Sequence, residues 1–375
     1  MNTALLGWLF VCFALVAGGI AQAEPPQQPP VTTCNEKTLL CIGVRSDARP
    51  FSYRSSLPGE KASDAARGPL ERAGYTGYMV RICDAALAEM ILDAKPGEFT
   101  FNDIGIYDID QASDSEASKD TSTAAGKDAT TNNVTFPIND TRFLNLGVKF
   151  DILCDPATIT NERRNGFMVS APLFLTGISY ITRKGEDPPD KICSSPEKPL
   201  IGLVGGTTAQ KEGINALLVA HELPKFDEAL IDYLRGDPSK PDPKPLCGQN
   251  TESRIKSYPG YTAAAQAFCH DDFHYFVGDL EIITENVKTI PGCAYDNGSR
   301  TYTNDRYAIF AKAMTTSDKV DTARQLLVAR FFEFLSQKVV FNPSILDKAF
   351  SDTFQGATPS HKLEVFYWSV RGERE

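Results

Sequence analysis

Val148-Lys149-Phe150-Asp151-Ile152-Leu153-Cys154, followed by Asp155-Pro156-Ala157-Thr158-Ile159-Thr160-Asn161-Glu162-Arg163-Arg164, is the stretch on which the fold turns. Its apolar half predicts a strand from Val148 to Cys154. Its polar half, with Pro156 near the start, predicts a loop at the carboxyl end of that strand. Open α/β sheets hold small solutes in such loops. An arginine placed there grips a carboxylate through two parallel hydrogen bonds, which makes Arg163 a candidate ligand-binding residue with Thr158 beside it. The plain alternative is that Arg163 and Arg164 are solvated surface charges.

Working outward, Leu40, Ile42 and Val44 alternate in a predicted strand from Leu39 to Val44. Gly74-Tyr75-Thr76-Gly77 is a turn into a helix over about Tyr78 to Leu92, whose Val80, Cys83, Leu87, Met90 and Ile91 fall on one face. A short helix is expected near Thr141 to Leu146. Further strands are expected at Ile178–Thr182, Leu200–Val204, His274–Val277 and Tyr307–Lys312. Helices are expected at about Ala209–Leu218, Tyr261–Phe268, Leu280–Val287 and Asp321–Ser336. Strands alternating with helices imply βαβ units and mostly parallel sheets.

Two more strand ends carry suitable chemistry. Gly205-Gly206-Thr207-Thr208 follows Leu200–Val204, where glycines allow close backbone approach and a helix start offers N–H groups to an anion. The alternative is that Thr208 only caps its helix. Gly278-Asp279 follows His274–Val277, and a carboxylate there can pair with a ligand ammonium or simply cap the helix from Leu280.

The bulk properties narrow the setting. The chain has 375 residues and a net charge of −10, with no basic stripe, so nucleic acid is not an expected partner. Ala4 to Gly18 is an uncharged apolar run, and Ala21-Gln22-Ala23 has the small-x-small pattern of a cleavage site. Residues 1–23 therefore read as a signal peptide and 24–37, rich in proline, as a linker. The n-region carries no Lys or Arg, so a retained anchor helix stays open. Of the nine cysteines, Cys12 lies in the apolar run. Cys34, Cys41, Cys83, Cys154, Cys193, Cys247, Cys269 and Cys293 remain, and an even count in an exported chain favours disulfides. Cys83 with Cys154, and Cys247 with Cys269, are the expected pairs, with buried free thiols as the alternative. Residues 108–132 are polar and of low complexity, an exposed insertion. His270-Asp271-Asp272-Phe273-His274 looks superficially like a metal site but reads better as a turn. GxxxxGK[ST] and GxSxG are both absent, and no catalytic residue, metal or cofactor is expected.

Taken together, these segments resemble the family 3 extracellular solute-binding proteins, the receptors of polar amino-acid ABC transporters. The resemblance is carried by Cys41-Ile42-Gly43-Val44-Arg45-Ser46-Asp47-Ala48-Arg49-Pro50-Phe51, Gly74-Tyr75-Thr76-Gly77-Tyr78 and Asp151-Ile152-Leu153-Cys154 with Thr158-Ile159-Thr160-Asn161-Glu162-Arg163. Ala171-Pro172-Leu173-Phe174, Gly206-Thr207-Thr208 and Gly278-Asp279 complete it. It spans about Leu39 to Phe350 and implies an α/β Venus-flytrap, two lobes joined by two crossover strands. Lobe 1 would be 38–175 with 306–350, lobe 2 would be 178–303, and 351–375 would be a tail. The resemblance implies that Arg163 and Thr158 hold a ligand carboxylate, met from the other lobe by Gly206, Thr207 and Thr208, while Asp279 takes the ammonium. Where relatives that bind basic amino acids place an acid, this chain has Arg45, which argues for a polar or acidic ligand. Asn139 is expected in the same side-chain pocket. The implied role is a periplasmic, monomeric, non-enzymatic receptor that delivers an amino acid or related carboxylate to an ABC permease. A ligand-sensing subunit of a membrane signalling protein and a cyclohexadienyl- or arogenate-type dehydratase are the alternatives on the same scaffold.

Overall fold

The computed structural model describes residues 33–35, 37–55, 68–111, 140–186, 199–223, 255–312, 322–341 and 344–370. The expected signal peptide, most of the linker and residues 112–132 of the expected insertion lie outside these residues. So do Cys193, Cys247 and Asn139.

The strands are β1 Leu40–Val44, β2 Asp47–Ala48, β3 Ser52–Arg54, β4 Tyr75–Thr76, β5 Ile104–Asp108, β6 Ile152–Thr158, β7 Phe167–Val169, β8 Phe174–Thr176, β9 Ile178–Arg183, β10 Ile201–Val204, β11 Ile255–Tyr258, β12 Tyr275–Asp279, β13 Tyr295–Asn297 and β14 Asp305–Lys312. The helices that matter below are α1 Tyr78–Asp93, α2 Thr141–Asn145, α3 Asn161–Gly166, α4 Tyr261–Cys269, α5 Leu280–Lys288, α6 Thr322–Phe341, α7 Ser344–Thr353 and α8 His361–Val370.

Two large sheets form, beside a small one of order β2-β3-β4. The first has the order β5-β1-β6-β14-β7, with β8 also on β14, and the second has the order β11-β10-β12-β9-β13. Strands β1, β5 and β6 pair in parallel, as do β10, β11 and β12. Pairs made by β14 and β9 are antiparallel. These are the strands at which the chain passes between sheets: Thr176-Gly177-Ile178 leads from β8 to β9, and 298–304 leads from β13 back to β14. The result is a two-lobed α/β fold with two crossings.

The strand expected to end at Cys154 instead runs on to Thr158, and all of its residues are buried. Proline is normally excluded from an inner strand because it lacks a ladder donor. Here the register of β6 against β14 slips between Ala308 and Phe310, opposite Cys154–Pro156, so Pro156 sits in a bulge. The bulge lets β6 stay buried while carrying Asp155, and Thr158 becomes its last residue. Asp108, expected at the start of the exposed insertion, instead ends β5 and accepts the Tyr75 hydroxyl at 2.8 Å.

The first lobe is held by an aromatic cluster. Phe51 meets Phe174 and Tyr307 edge-on at 4.8 and 5.0 Å between centroids. The Tyr78 hydroxyl donates to Leu173 O at 2.7 Å and shares a 2.9 Å bond with Tyr367. Tyr367 lies on α8, so the segment expected as a tail carries a helix whose Leu363 and Tyr367 are buried against the lobe. The 3–4 spacing of those two residues is too short a pattern to predict a packed helix.

The Cys83–Cys154 disulfide ties α1 to β6 as expected. Cys269 pairs with Cys293, not with Cys247, linking the end of α4 to the segment after α5 across 24 positions. Cys34–Cys41 anchors the chain entering β1.

At the crossings, Ile178 N donates to Thr303 Oγ1 at 2.8 Å and Tyr302 N to Ile178 O at 2.8 Å. A Cβ on Gly177 would lie 2.4 Å from Thr303 O, a backbone atom that cannot rotate away. Gly177→Ala should therefore lower unfolding stability by about 1–3 kcal/mol through overpacking. Denaturant titration checks this, and an unchanged midpoint would show that the crossings are loosely coupled.

Candidate functional site

The site is built where the carboxyl ends of β6 and β10 face each other. After β6, Thr160 Oγ1 accepts a hydrogen bond from Arg163 N at 3.2 Å and starts the short helix α3. That turn folds the Arg163 side chain back over the strand end. Its Nη1 donates to Thr158 O at 2.7 Å, its Nη2 meets Asp140 Oδ2 at 2.7 Å, and the guanidinium lies 4.3 Å from the Phe143 ring centroid. Arg163 is thus largely buried and the surface-charge alternative fails for it, while Arg164 is exposed, as that alternative had it.

From the second sheet, β10 ends in Gly205-Gly206. Gly206 has φ +70°, in the left-handed region that glycine adopts without strain. The turn brings the Thr207 hydroxyl onto Val204 O at 2.8 Å and sets Thr208 Oγ1 3.5 Å from Thr158 Oγ1. Between these walls lies a cavity of about 340 Å³. Asp140, Phe143, Thr160, Glu162 and Arg163 line one side, and Gly206, Thr207, Thr208 and Glu212 the other.

Behind the cavity runs a ladder of buried charges. Asp140 heads α2 without capping it. Its carboxylate accepts Arg142 Nε at 2.8 Å and Nη2 at 3.1 Å, as well as Arg163. Arg142 Nη1 in turn donates to Asp155 Oδ2 at 2.6 Å. Burial pushes the Asp140 carboxyl up, but the two guanidiniums outweigh it and hold it below its ordinary range. Asp155 is fully buried, and among the described residues its Oδ1 has no hydrogen-bond partner. Burial raises its pKa, against the pull of Arg142 and Arg45.

Arg45 is not in the cavity wall. It is 4% exposed, donates to Asp110 Oδ1 at 3.0 Å, meets Asp47 Oδ1 at 3.2 Å and lies 5.0 Å from the Tyr261 ring centroid on α4. Asp47 Oδ2 accepts Thr262 N at 3.3 Å, so this group joins the two lobes. With two carboxylates beside it, the charge of Arg45 is spent internally.

Asp279 ends β12 and is 4% exposed. Its side chain does not cap α5, and among the described residues its Oδ1 finds no donor at ordinary hydrogen-bonding geometry, although the Tyr307 hydroxyl lies beside the carboxylate. Burial, reinforced by Asp305, pushes the carboxyl up to about 8, while the nearby Tyr307 opposes the shift. It lies apart from the walls of the Arg163 cavity. Tyr261 marks how the two regions meet, for it feels Asp279 from its own lobe and Arg45, Arg142 and Asp155 from the other.

Thr158, Arg163, Gly206, Thr207 and Thr208 are therefore brought together, with Arg45 and Asp279 in an adjoining buried layer. Asp140, Arg142, Asp155 and Tyr261 were not anticipated. Only Asp155, the first residue of the loop expected after the strand, offered a signal.

No protein-family model and no curated protein sequence matches the chain. Solved structures similar to it include an ancestral arginine-binding protein bound to arginine, at 16% identity over 84% of this chain and 97% of that one, with a TM-score of 0.49. An arginine-, lysine-, histidine-binding protein from the thermophilic bacterium Geobacillus stearothermophilus has 16% identity, coverage of 87% and 99%, and a TM-score of 0.48. An ancestral amino acid-binding protein, a precursor of cyclohexadienyl dehydratase, has 18% identity, coverage of 84% and 95%, and a TM-score of 0.45. The fold itself rests on the strand orders and the two crossings.

Asp279 gives the site a pH signature. Its folded pKa of about 8 lies above the ordinary 3.8, so between those values the folded state holds a proton that the unfolded state has lost. Stability contributed this way is complete below about pH 4 and is lost as pH rises toward 8. Asp279→Asn should flatten the dependence of unfolding free energy on pH by up to about 1.4 kcal/mol per unit. Denaturant titrations from pH 5 to 8 measure it, and an unchanged slope would contradict the assignment.

Proposed function

We propose that the chain is a family 3 solute-binding protein, exported to the periplasm, that closes its lobes on a small amino-acid-like ligand. It would act as a monomer and deliver that ligand to the permease of an ABC transporter. The observation that carries this reading is the cavity with Arg163 on one lobe and the Gly206-Thr207-Thr208 turn on the other. Among the described residues Arg163 spends one N–H on Thr158 O and one on Asp140, out of the five its guanidinium offers. The rest suit a carboxylate, and Thr207-Thr208 supplies a second set of donors across the cavity, Gly206 N already donating to Gln210 Oε1 at 3.1 Å. Asp279 takes the ligand ammonium, which gives its buried carboxylate the counter-charge that the neutral Tyr307 beside it does not supply.

In this reading lobe 1 is 38–175 with 306–350, lobe 2 is 178–303, and the hinges are Leu175–Gly177 and Tyr302–Asp305. A ligand bound by both lobes shifts an open–closed equilibrium by its preference for the closed form.

A thermal-shift screen against the twenty amino acids, with Arg163→Ala as the control, tests the proposal. A ligand at 100 times its dissociation constant should add about 2.7 kcal/mol of stability. The expected result is a raised melting temperature with one class of amino acid, lost in Arg163→Ala. No shift with any amino acid would refute the reading.

A further inference from the structure

We propose that Asp47 of the first lobe is a latch on the second: seated on the N–H end of α4, it supplies a share of the closing free energy that is the same for every ligand. This rests on the receptor reading above and adds to it a residue that sets affinity without touching what is bound.

The first N–H groups of a helix have no partner within it, and a side-chain acceptor at its start commonly takes one of them. Helix α4 begins after Gly260, which has no side chain to offer. Asp47 Oδ2, on β2 of the other lobe, accepts Thr262 N instead, at 3.3 Å and across 215 positions of sequence. Negative charge is favoured at that end of a helix. The backbone at Gly260 is extended, with φ −156° and ψ 170°, which any residue adopts. Space is what demands glycine, because a Cβ there would overlap Asp47 Oδ2.

The latch is held in place from its own lobe. Arg45 Nη2 meets Asp47 Oδ1 at 3.2 Å and Asp110 Oδ1 at 3.0 Å, and Asp110 Oδ2 accepts Ser46 N at 2.7 Å. The Arg45 guanidinium also lies 5.0 Å from the ring centroid of Tyr261, the residue before Thr262, which adds a cation–π contact between the lobes. Arg45 thus serves closure and does not select the ligand. Arg45, Asp47, Asp110, Tyr261 and Thr262 all lie outside the walls of the Arg163 cavity. Ligand contacts and latch therefore contribute separately to one closed form. A receptor whose closed form is less populated binds every ligand more weakly by the same factor.

Small-angle X-ray scattering of the full chain, titrated with an equimolar mixture of the twenty amino acids, tests the inference, with closure read as a fall in radius of gyration. Burial raises the Asp47 carboxyl against the pull of Arg45, so the titration is run at pH 8 to favour the charged form. Asp47→Ala and Gly260→Ala should each raise the concentration for half-closure about tenfold, the worth of one hydrogen bond to a charged acceptor. Both should still reach the wild-type radius at saturation, because the cavity is intact. The double variant should be no weaker than either single one, since both remove the same contact. Unchanged half-closure in both single variants, or effects that multiply in the double variant, would overturn the inference and leave the receptor reading intact. An end radius above that of the wild type in both would assign the two residues to the fold, not to closure, and would also overturn it. A radius that never falls in the wild-type chain would remove both the latch and the receptor reading.

Discussion

The Asp140 carboxylate, shared between Arg142 and Arg163, is the interaction on which the site depends. Two guanidiniums on neighbouring backbone segments, both nearly shut off from water, repel each other unless an anion stands between them. Asp140 supplies that anion through three hydrogen bonds of 2.7–3.1 Å. It fixes the direction of Arg163 at the cavity, and through Arg142 it fixes Asp155 further back on β6. Removing one partner of such a chain leaves an uncompensated buried charge, so the arrangement tolerates little variation.

Local geometry serves the same end. Thr160 turns the chain into a helix too short to matter for stability but long enough to bring Arg163 over Thr158. The bulge against β14 allows Pro156 inside a buried strand and lets Asp155, just before it, point into the interior. On the facing sheet, a left-handed glycine brings Thr207 and Thr208 within reach. The groups at the cavity thus come from strand ends and turns set by the two large sheets.

Much of this was legible in the chain. Alternating apolar residues predicted β1, apolar residues at three- and four-residue steps predicted α1, and the Thr158-to-Arg163 block and the Gly206 turn identified both cavity walls. The pairings were not legible, because they join residues far apart in sequence. Arg45 meets Asp110 across 65 positions and Arg163 meets Asp140 across 23, and a single arginine carries no mark of its partner. The strand was expected to stop at Cys154, with Pro156 in a loop, because the bulge that accommodates Pro156 depends on β14. Cys269 was matched to the wrong cysteine since spacing does not encode which loops the fold brings together. The helix at 361–370 shows only two buried residues, too few to betray it.

The lobes meet through the same groups that line and back the cavity, notably Thr158 with Thr208 and Asp47 with Thr262. Ligand binding and closure are therefore one event in this account. Hydrogen exchange followed by mass spectrometry, with and without an equimolar mixture of the twenty amino acids, tests that most directly. The account predicts that peptides covering 152–163 and 204–213 gain protection together, and that Arg163→Ala abolishes both changes. Protection of one segment without the other, or of neither, would contradict it.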